Sequence, residues 1–378
     1  MLAPLAFLAY LGLESYGIDY RAFYLAGKSA LSNLNPYLNQ LSHHPDFYGP
    51  VNSELGLYAG WKYPPLTTYL FTPLALLDYE SSKNLFNALS LSATIAALLL
   101  AIRGSARTLA PESVLIVMIS FPMLTTIERG QIDLLLMVIA LGALELFRRG
   151  QAGLSGLVVA MLAAVKLFPL LLALGFTRQP RLGRQALWGL GLTLMVLSLL
   201  TLLICPHPWI TTFITRSIHP FAMPPGPIRQ LPPGLGIVDA TTTVLSSDSR
   251  PLIVTHAFTN GYANPLLSSN TIGSLLIGFC GAGFSLWHHR HQPLSRCFFA
   301  IMPWLNIINP ISWTMGLCWY FPYFLDNYRH LSPGQRFLLS LPLILPPMLN
   351  VSGYLAAAAT LLLPWWSRTS LPSDTLSR

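Results

Sequence analysis

The sequence predicts an all-α polytopic membrane protein made of many short helices, and three observations carry that prediction. Hydrophobic residues make up 53% of the 378 and charged residues only 10%, whereas about a quarter of a soluble domain is charged. Mean hydropathy is +0.54. Apolar runs recur along the chain, and the arginines gather in the short gaps between them. The 31 prolines and 27 glycines are many for a helical protein. They suit broken or re-entrant segments, which a membrane tolerates where backbone lines a cavity.

In chain order, Met1–Leu13 is apolar but short of the about 20 residues of a full span. It lacks a basic leader and a small-residue cleavage site, so it reads as a first transmembrane helix rather than a signal peptide. Residues 15–64 form a polar, aromatic-rich loop ending in Trp61-Lys-Tyr-Pro-Pro65. Apolar segments follow at 66–77, 84–102, 111–127, 132–147, 153–176, 186–205 and 266–287. Others lie at 297–308, 311–325, 336–350 and 353–366. Together they predict about eleven to thirteen membrane segments, several of them broken. The 206–265 stretch between two runs is rich in Pro, Thr and His with little periodicity, and reads as a long functional loop. The whole chain, 1–378, reads as one membrane-embedded domain.

Orientation follows from the Lys/Arg loops. Arg148-Arg149, Arg178/Arg181/Arg184, His288–Arg296 and Arg329–Arg336 fit the cytoplasmic side. Glu128–Asp133, Lys166 and the 15–64 and 206–265 loops then face the extracytoplasmic side of the cell membrane. Arg103 and Arg107 break simple alternation, which predicts a re-entrant or interfacial segment between 64 and 127. In a soluble chain a net charge of +8 would suggest nucleic acid. Here the cations flank apolar runs, so they meet lipid headgroups, and no nucleic-acid partner is expected. Cys205, Cys280, Cys297 and Cys318 have no metal-ligand spacing and read as small apolar residues.

Four polar clusters share the predicted extracytoplasmic face. In the first, Tyr20, Phe23, Tyr24, Gly27 and Leu31 recur at helical spacing with Arg21, Lys28, Ser29 and Ser32 opposite. This predicts an amphipathic helix lying in the interface. Asp19 stands at its start, either as a plain N-cap or as an ionised base for a lipid-borne substrate. The second cluster is Trp61–Pro65, where Lys62 and Tyr63, with Tyr20, are candidate lining residues. In the third, Glu128-Arg-Gly-Gln-Ile-Asp133, the Arg129 fork suits a phosphate but also a local carboxylate. Gln131 and Asp133 either cap the next helix or bind sugar hydroxyls. The fourth centres on Lys166, in an apolar run three residues before Pro169. It either snorkels to the interface or binds a lipid phosphate.

In order, the chain carries Asp19-Tyr-x-x-Phe-Tyr, Asn35-Pro-Tyr37, Lys62-Tyr-Pro-Pro65, Gly130-Gln-x-Asp133, Lys166-x-x-Pro169 and Pro310-Ile-Ser-Trp313. This ordered set, spanning about 19 to 313, resembles glycosyltransferase family 87, the GT-C transferases that use sugars carried on polyprenyl phosphate. The resemblance implies a GT-C-like helical bundle, a hexosyl and by default mannosyl donor on polyprenyl phosphate, and a lipid or glycan acceptor. It implies Asp19 as base and adds Trp313 to the substrate-binding candidates. The chain departs from the family pattern in three places. Asp133 replaces an Asn, Thr314-Met315-Gly316 stand where one or two His follow the Ser-Trp pair, and the first helix is short. His207, His219 and His256 are the histidines available as substitutes.

The residues suit that chemistry. A sugar on phosphate has a good leaving group, so one carboxylate acting on the acceptor hydroxyl suffices for inversion. Lys166 and Arg129 would stabilise the departing phosphate. No Gly-rich phosphate loop and no metal spacing is visible, so no nucleotide sugar, cofactor or metal is expected. A transporter or flippase of a lipid-linked or small polar substrate would use similar broken helices, but paired inverted halves are not evident. A noncatalytic scaffold would not need the converging Asp, Lys, Arg and Gln.

Overall fold

The computed structural model describes residues 2–15, 17, 19–38, 61–104, 109–218, 271–308, 314–346 and 349–369. Among them every regular element is helical. Two helices, Tyr79–Leu100 and Pro180–Ile204, are long and apolar enough to cross a membrane. A third span results if Pro111–Ile119 and Phe121–Arg129, bent by 46° at Ser120, count as one. Leu2–Glu14, Ala152–Val165, Ile272–His288, Leu294–Ile308 and Ser352–Leu363 are apolar but shorter. Among the described residues full-length spans are thus a minority, and the remaining apolar segments are short or broken, as expected. Prolines explain the shortening: tight 3-10 turns at Pro65–Phe71, Phe168–Leu172 and Met302–Trp304 each carry Pro at their start.

The bend at Ser120 lies within the region where a re-entrant or interfacial segment is expected. Pro122 cannot donate to the preceding turn, and the Ser120 hydroxyl instead accepts from the Met123 N–H. Leu2–Glu14 packs against Tyr79–Gly104, and Lys83 fixes its end. The fully buried Lys83 ammonium donates to the carbonyls of Leu13 (3.2 Å) and Ser15 (2.7 Å) and meets Glu80 at 2.9 Å. A cation at a helix C-terminus satisfies carbonyls the helix leaves unpaired. Asn87 adds a bond to the Gly12 carbonyl at 2.7 Å.

Glycine brings Ala152–Val165 and Pro180–Ile204 together. A Cβ on Gly156 would lie 1.8 Å from the Ala186 carbonyl oxygen, and one on Gly189 would lie 2.2 Å from that of Gly153. Small residues allow this backbone approach, which is how helices associate in lipid. The outer side of Pro180–Ile204 exposes Leu192, Met195, Leu199, Leu202 and Leu203.

Several predicted cytoplasmic loops adjoin one another. Arg178 donates to the Arg290 carbonyl, Arg296 pairs with Asp326 at 2.8 Å, and Arg336 donates to the Arg329 carbonyl. Of the cysteines, Cys205, Cys297 and Cys318 are buried and Cys280 is exposed.

Candidate active site

The Tyr20–Leu31 helix is enclosed rather than laid along a surface. Tyr20, Phe23, Tyr24 and Gly27 are buried as the periodicity implies, but Arg21 and Ser29 on the expected wet face are buried too. The Tyr20 ring packs on Phe86 (4.7 Å) and Tyr79 (5.9 Å), and its hydroxyl meets Ser82. Phe23 stacks on Phe71 at 4.8 Å and lies beside Trp61 and Tyr63. A Cβ on Gly27 would fall 2.3 Å from the Phe71 carbonyl oxygen, so only glycine admits this approach.

Asp19 does not act as a side-chain N-cap. It has helical backbone angles and makes no capping bond. Its carboxylate turns instead to Arg129, whose Nε donates to Oδ2 (2.5 Å) and whose Nη2 donates to Oδ1 (3.0 Å). Gln131 Nε2 also donates to Oδ2, at 2.8 Å. The Asp19 N–H bonds to the Arg129 carbonyl at 2.9 Å, so the two segments run together. Burial opposes the Asp19 charge. The Arg129 guanidinium and its hydrogen bond, the Gln131 amide and the nearby Lys62 charge outweigh it and hold the carboxyl below the usual carboxylate range.

The Glu128–Asp133 segment owes its shape to Gly130. Gly130 ends the Phe121–Arg129 helix at φ 68°, in the left-handed region. Its N–H bonds back to the Ile127 carbonyl, and that of Gln131 to the Thr126 carbonyl. This reversal directs Gln131 toward Asp19 and starts Asp133–Arg148 at once. A Cβ on Gly130 would stand 2.5 Å from Tyr20 Cβ. Glu128 is buried, and neither of its carboxylate oxygens has a hydrogen-bond partner among the described residues.

Lys166 lies where the chain breaks. It is extended (φ −133°, ψ 127°) after Ala152–Val165, and Pro169 opens the next short turn. Its ammonium binds Asp133 Oδ2 at 2.6 Å. The other Asp133 oxygen accepts from Trp319 Nε1 at 3.1 Å. The rings of Tyr63 and Phe168 each lie 5.6 Å from the Lys166 ammonium. Burial pushes the Tyr63 phenol up to about 12, with the Lys166 charge opposing.

Two further bonds close the site. The Tyr37 hydroxyl donates to the Tyr63 carbonyl at 2.6 Å, and Thr67 to the Ala164 carbonyl at 3.0 Å. Asn35 donates to Thr212 at 3.3 Å on the His207–Ile218 helix. That helix fills the start of the 206–265 stretch, where the sequence shows little periodicity.

The structure thus brings together Asp19, Lys62, Tyr63, Arg129, Gln131, Asp133 and Lys166 as two largely buried ion pairs with the Lys62-Tyr63 stretch beside them. Tyr20 forms a wall behind Asp19. His207 is exposed at the start of the His207–Ile218 helix. Trp313, His219 and His256 lie outside the described residues, as do 39–60 and most of 206–265. Sequence reasoning missed Trp319 and Ser82. Trp319 sits within an apolar aromatic run, Cys318-Trp-Tyr-Phe321, where nothing local separates a hydrogen-bonding indole from a packing one.

Residues 61–225 match the family model of glycosyltransferase family 87. Searches of curated proteins and of solved structures found no match. The matched region contains Lys62, Tyr63, Arg129, Gln131, Asp133 and Lys166, and Asp19 meets it through Arg129. Over residues 61–225 the chain is thus similar to glycosyltransferase family 87.

Proposed function

We propose that this membrane glycosyltransferase moves a hexosyl group, mannosyl by default, from a polyprenyl-phosphate donor to a lipid or glycan acceptor. In this reading the GT-C-like bundle lies in the cell membrane with its site on the extracytoplasmic face. The observation that supports it best is the presence of two largely buried ion pairs, Asp19–Arg129 and Asp133–Lys166, on either side of Tyr63. Charges are costly in such surroundings and are kept there for work.

Asp19 takes the proton from the acceptor hydroxyl. The acceptor oxygen then bonds to the anomeric carbon, and the bond from that carbon to the phosphate oxygen breaks with its electrons leaving on the phosphate. One carboxylate and a good leaving group give inversion. Arg129 and Lys166 meet the phosphate, the arginine through two N–H groups and the lysine as a point charge. Lys62, Tyr63, Gln131 and Asp133 line the sugar, and Trp313 joins them through the family motif.

The test is transfer in lipid nanodiscs, with radiolabelled polyprenyl-phosphate mannose and a membrane lipid extract, comparing wild type with Asp19→Asn. Asp19→Asn strands Arg129, so turnover is read per folded protein. New labelled product from wild type alone is expected. Equal product from both removes Asp19 as base, and no product from wild type with a full set of lipid acceptors overturns the donor assignment.

A further inference from the structure

A carboxylate clamped by a guanidinium is a poor base, because accepting a proton means giving up the ion pair. Asp19 is clamped in this way, with Arg129 on both oxygens and Gln131 on one of them. The titratable groups facing Asp19 are Arg129 and Glu128 on the Phe121–Arg129 helix, and Lys62 and Tyr63 on the connecting stretch. Arg129 makes the direct contacts and Lys62 acts through its charge. Lys166 is held apart by Asp133, itself fixed by Trp319.

A guanidinium fork fits a phosphate as well as it fits a carboxylate. Gln131 does not depend on where the Arg129 side chain goes. Its backbone is pinned by the Gly130 turn to the Thr126 carbonyl at 2.9 Å. The Asp19 N–H is likewise held by the backbone carbonyl of Arg129, not by its side chain.

We infer that Arg129 changes partners during turnover, leaving Asp19 for the donor phosphate, while Gln131 stays on Asp19 as the positioning residue of the base. The inference rests on the donor reading above. Its consequence is ordered chemistry: Asp19 becomes an effective base only when a phosphate has drawn Arg129 away. Gln131 is neutral, so it orients the carboxylate while lowering its basicity less than the Arg129 cation does.

Two measurements test this. The acid limb of kcat/KM for the donor reports the empty enzyme, and that of kcat reports the loaded one. The kcat limb should lie about one to three pH units higher, the usual effect of an adjacent arginine on an aspartate. Gln131→Ala should lower kcat by a larger factor than it raises the donor KM, because Gln131 holds the base as well as lining the sugar. Coincident limbs, or a Gln131→Ala effect on KM alone, overturn the inference.

The second measurement needs no turnover. Infrared titration follows the Asp19 carboxylate band, assigned by its loss in Asp19→Asn. It is run with and without a short-chain polyprenyl phosphate, in neutral-lipid nanodiscs. The wild-type band should titrate at higher pH once the phosphate is bound. In Arg129→Gln it should start high and stay there. Bound phosphate with an unmoved Asp19 overturns the exchange and leaves the donor reading standing. Failure of the phosphate to bind overturns both.

Discussion

Replacing Gly130 with alanine tests the reasoning most directly, because the structure gives two independent penalties at one atom. The residue sits at φ 68°, where a side chain costs about 1–2 kcal/mol. The new Cβ would also stand 2.5 Å from Tyr20 Cβ. That atom is the root of a buried side chain whose hydroxyl is held by Ser82, so it cannot swing aside. Overpacking of this kind costs about 1–3 kcal/mol, and the combined expectation is about 2–5 kcal/mol. Relief requires the Asp19-Tyr20 segment to move by about 1 Å, which at a reacting centre costs about a hundredfold in rate. Thermal melting in nanodiscs and transfer per folded molecule measure the two effects. Gly142→Ala is the control: its Cβ would meet open space within a helix, so stability should hold or rise by up to about 1 kcal/mol. A Gly130→Ala protein that melts and turns over like wild type would refute the argument.

Lys83→Met keeps the length of the side chain but strips the carbonyls of Leu13 and Ser15 of their donor. It should cost about 3 kcal/mol, read as an earlier melt, whereas an unchanged melt would mean Lys83 is not the cap described. Gly156→Leu drives a side chain into the Ala186 carbonyl and should part the two helices, lowering the melting temperature and the yield of folded protein. Ala152→Gly at the neighbouring turn should be far milder. Trp319→Phe removes the N–H that holds Asp133 while keeping a ring beside Phe168. It should weaken donor binding several-fold through a misaligned Lys166, measured as a raised KM with kcat little changed.

Much of the site was legible because its residue types conflict with their surroundings. Lys166 in an apolar run, and Arg129 and Asp133 flanking a Gly-Gln turn, are expensive where they stand, so their positions point to chemistry. What the sequence hides is who pairs with whom. Asp19 looks like a cap from its position before Tyr20, and only the return of Glu128–Asp133 shows its charge is spent on Arg129. Arg129 reads as a partner for a phosphate or a local carboxylate, and Lys166 as a lone cation, because their partners lie 110 and 33 residues away. The wet face expected of Tyr20–Leu31 fails for a similar reason. Periodicity tells which face is more apolar, not whether the rest of the protein covers the other one. The breaks themselves were expected, but hydropathy runs straight through Pro65, Pro169 and Pro303, so it does not show where the tight turns fall.

The Tyr37–Tyr63 hydrogen bond has a practical consequence. It fastens the two ends of the 38–62 stretch beside the ion pairs, with Tyr37 wholly buried and Trp61 packed on Phe23. Chain inserted between such fixed posts pays only for its own closure, about 0.6 kcal/mol for each doubling in length. An insertion between Leu38 and Trp61 should therefore cost the fold little, while Trp61, Lys62 and the charges behind them keep their places.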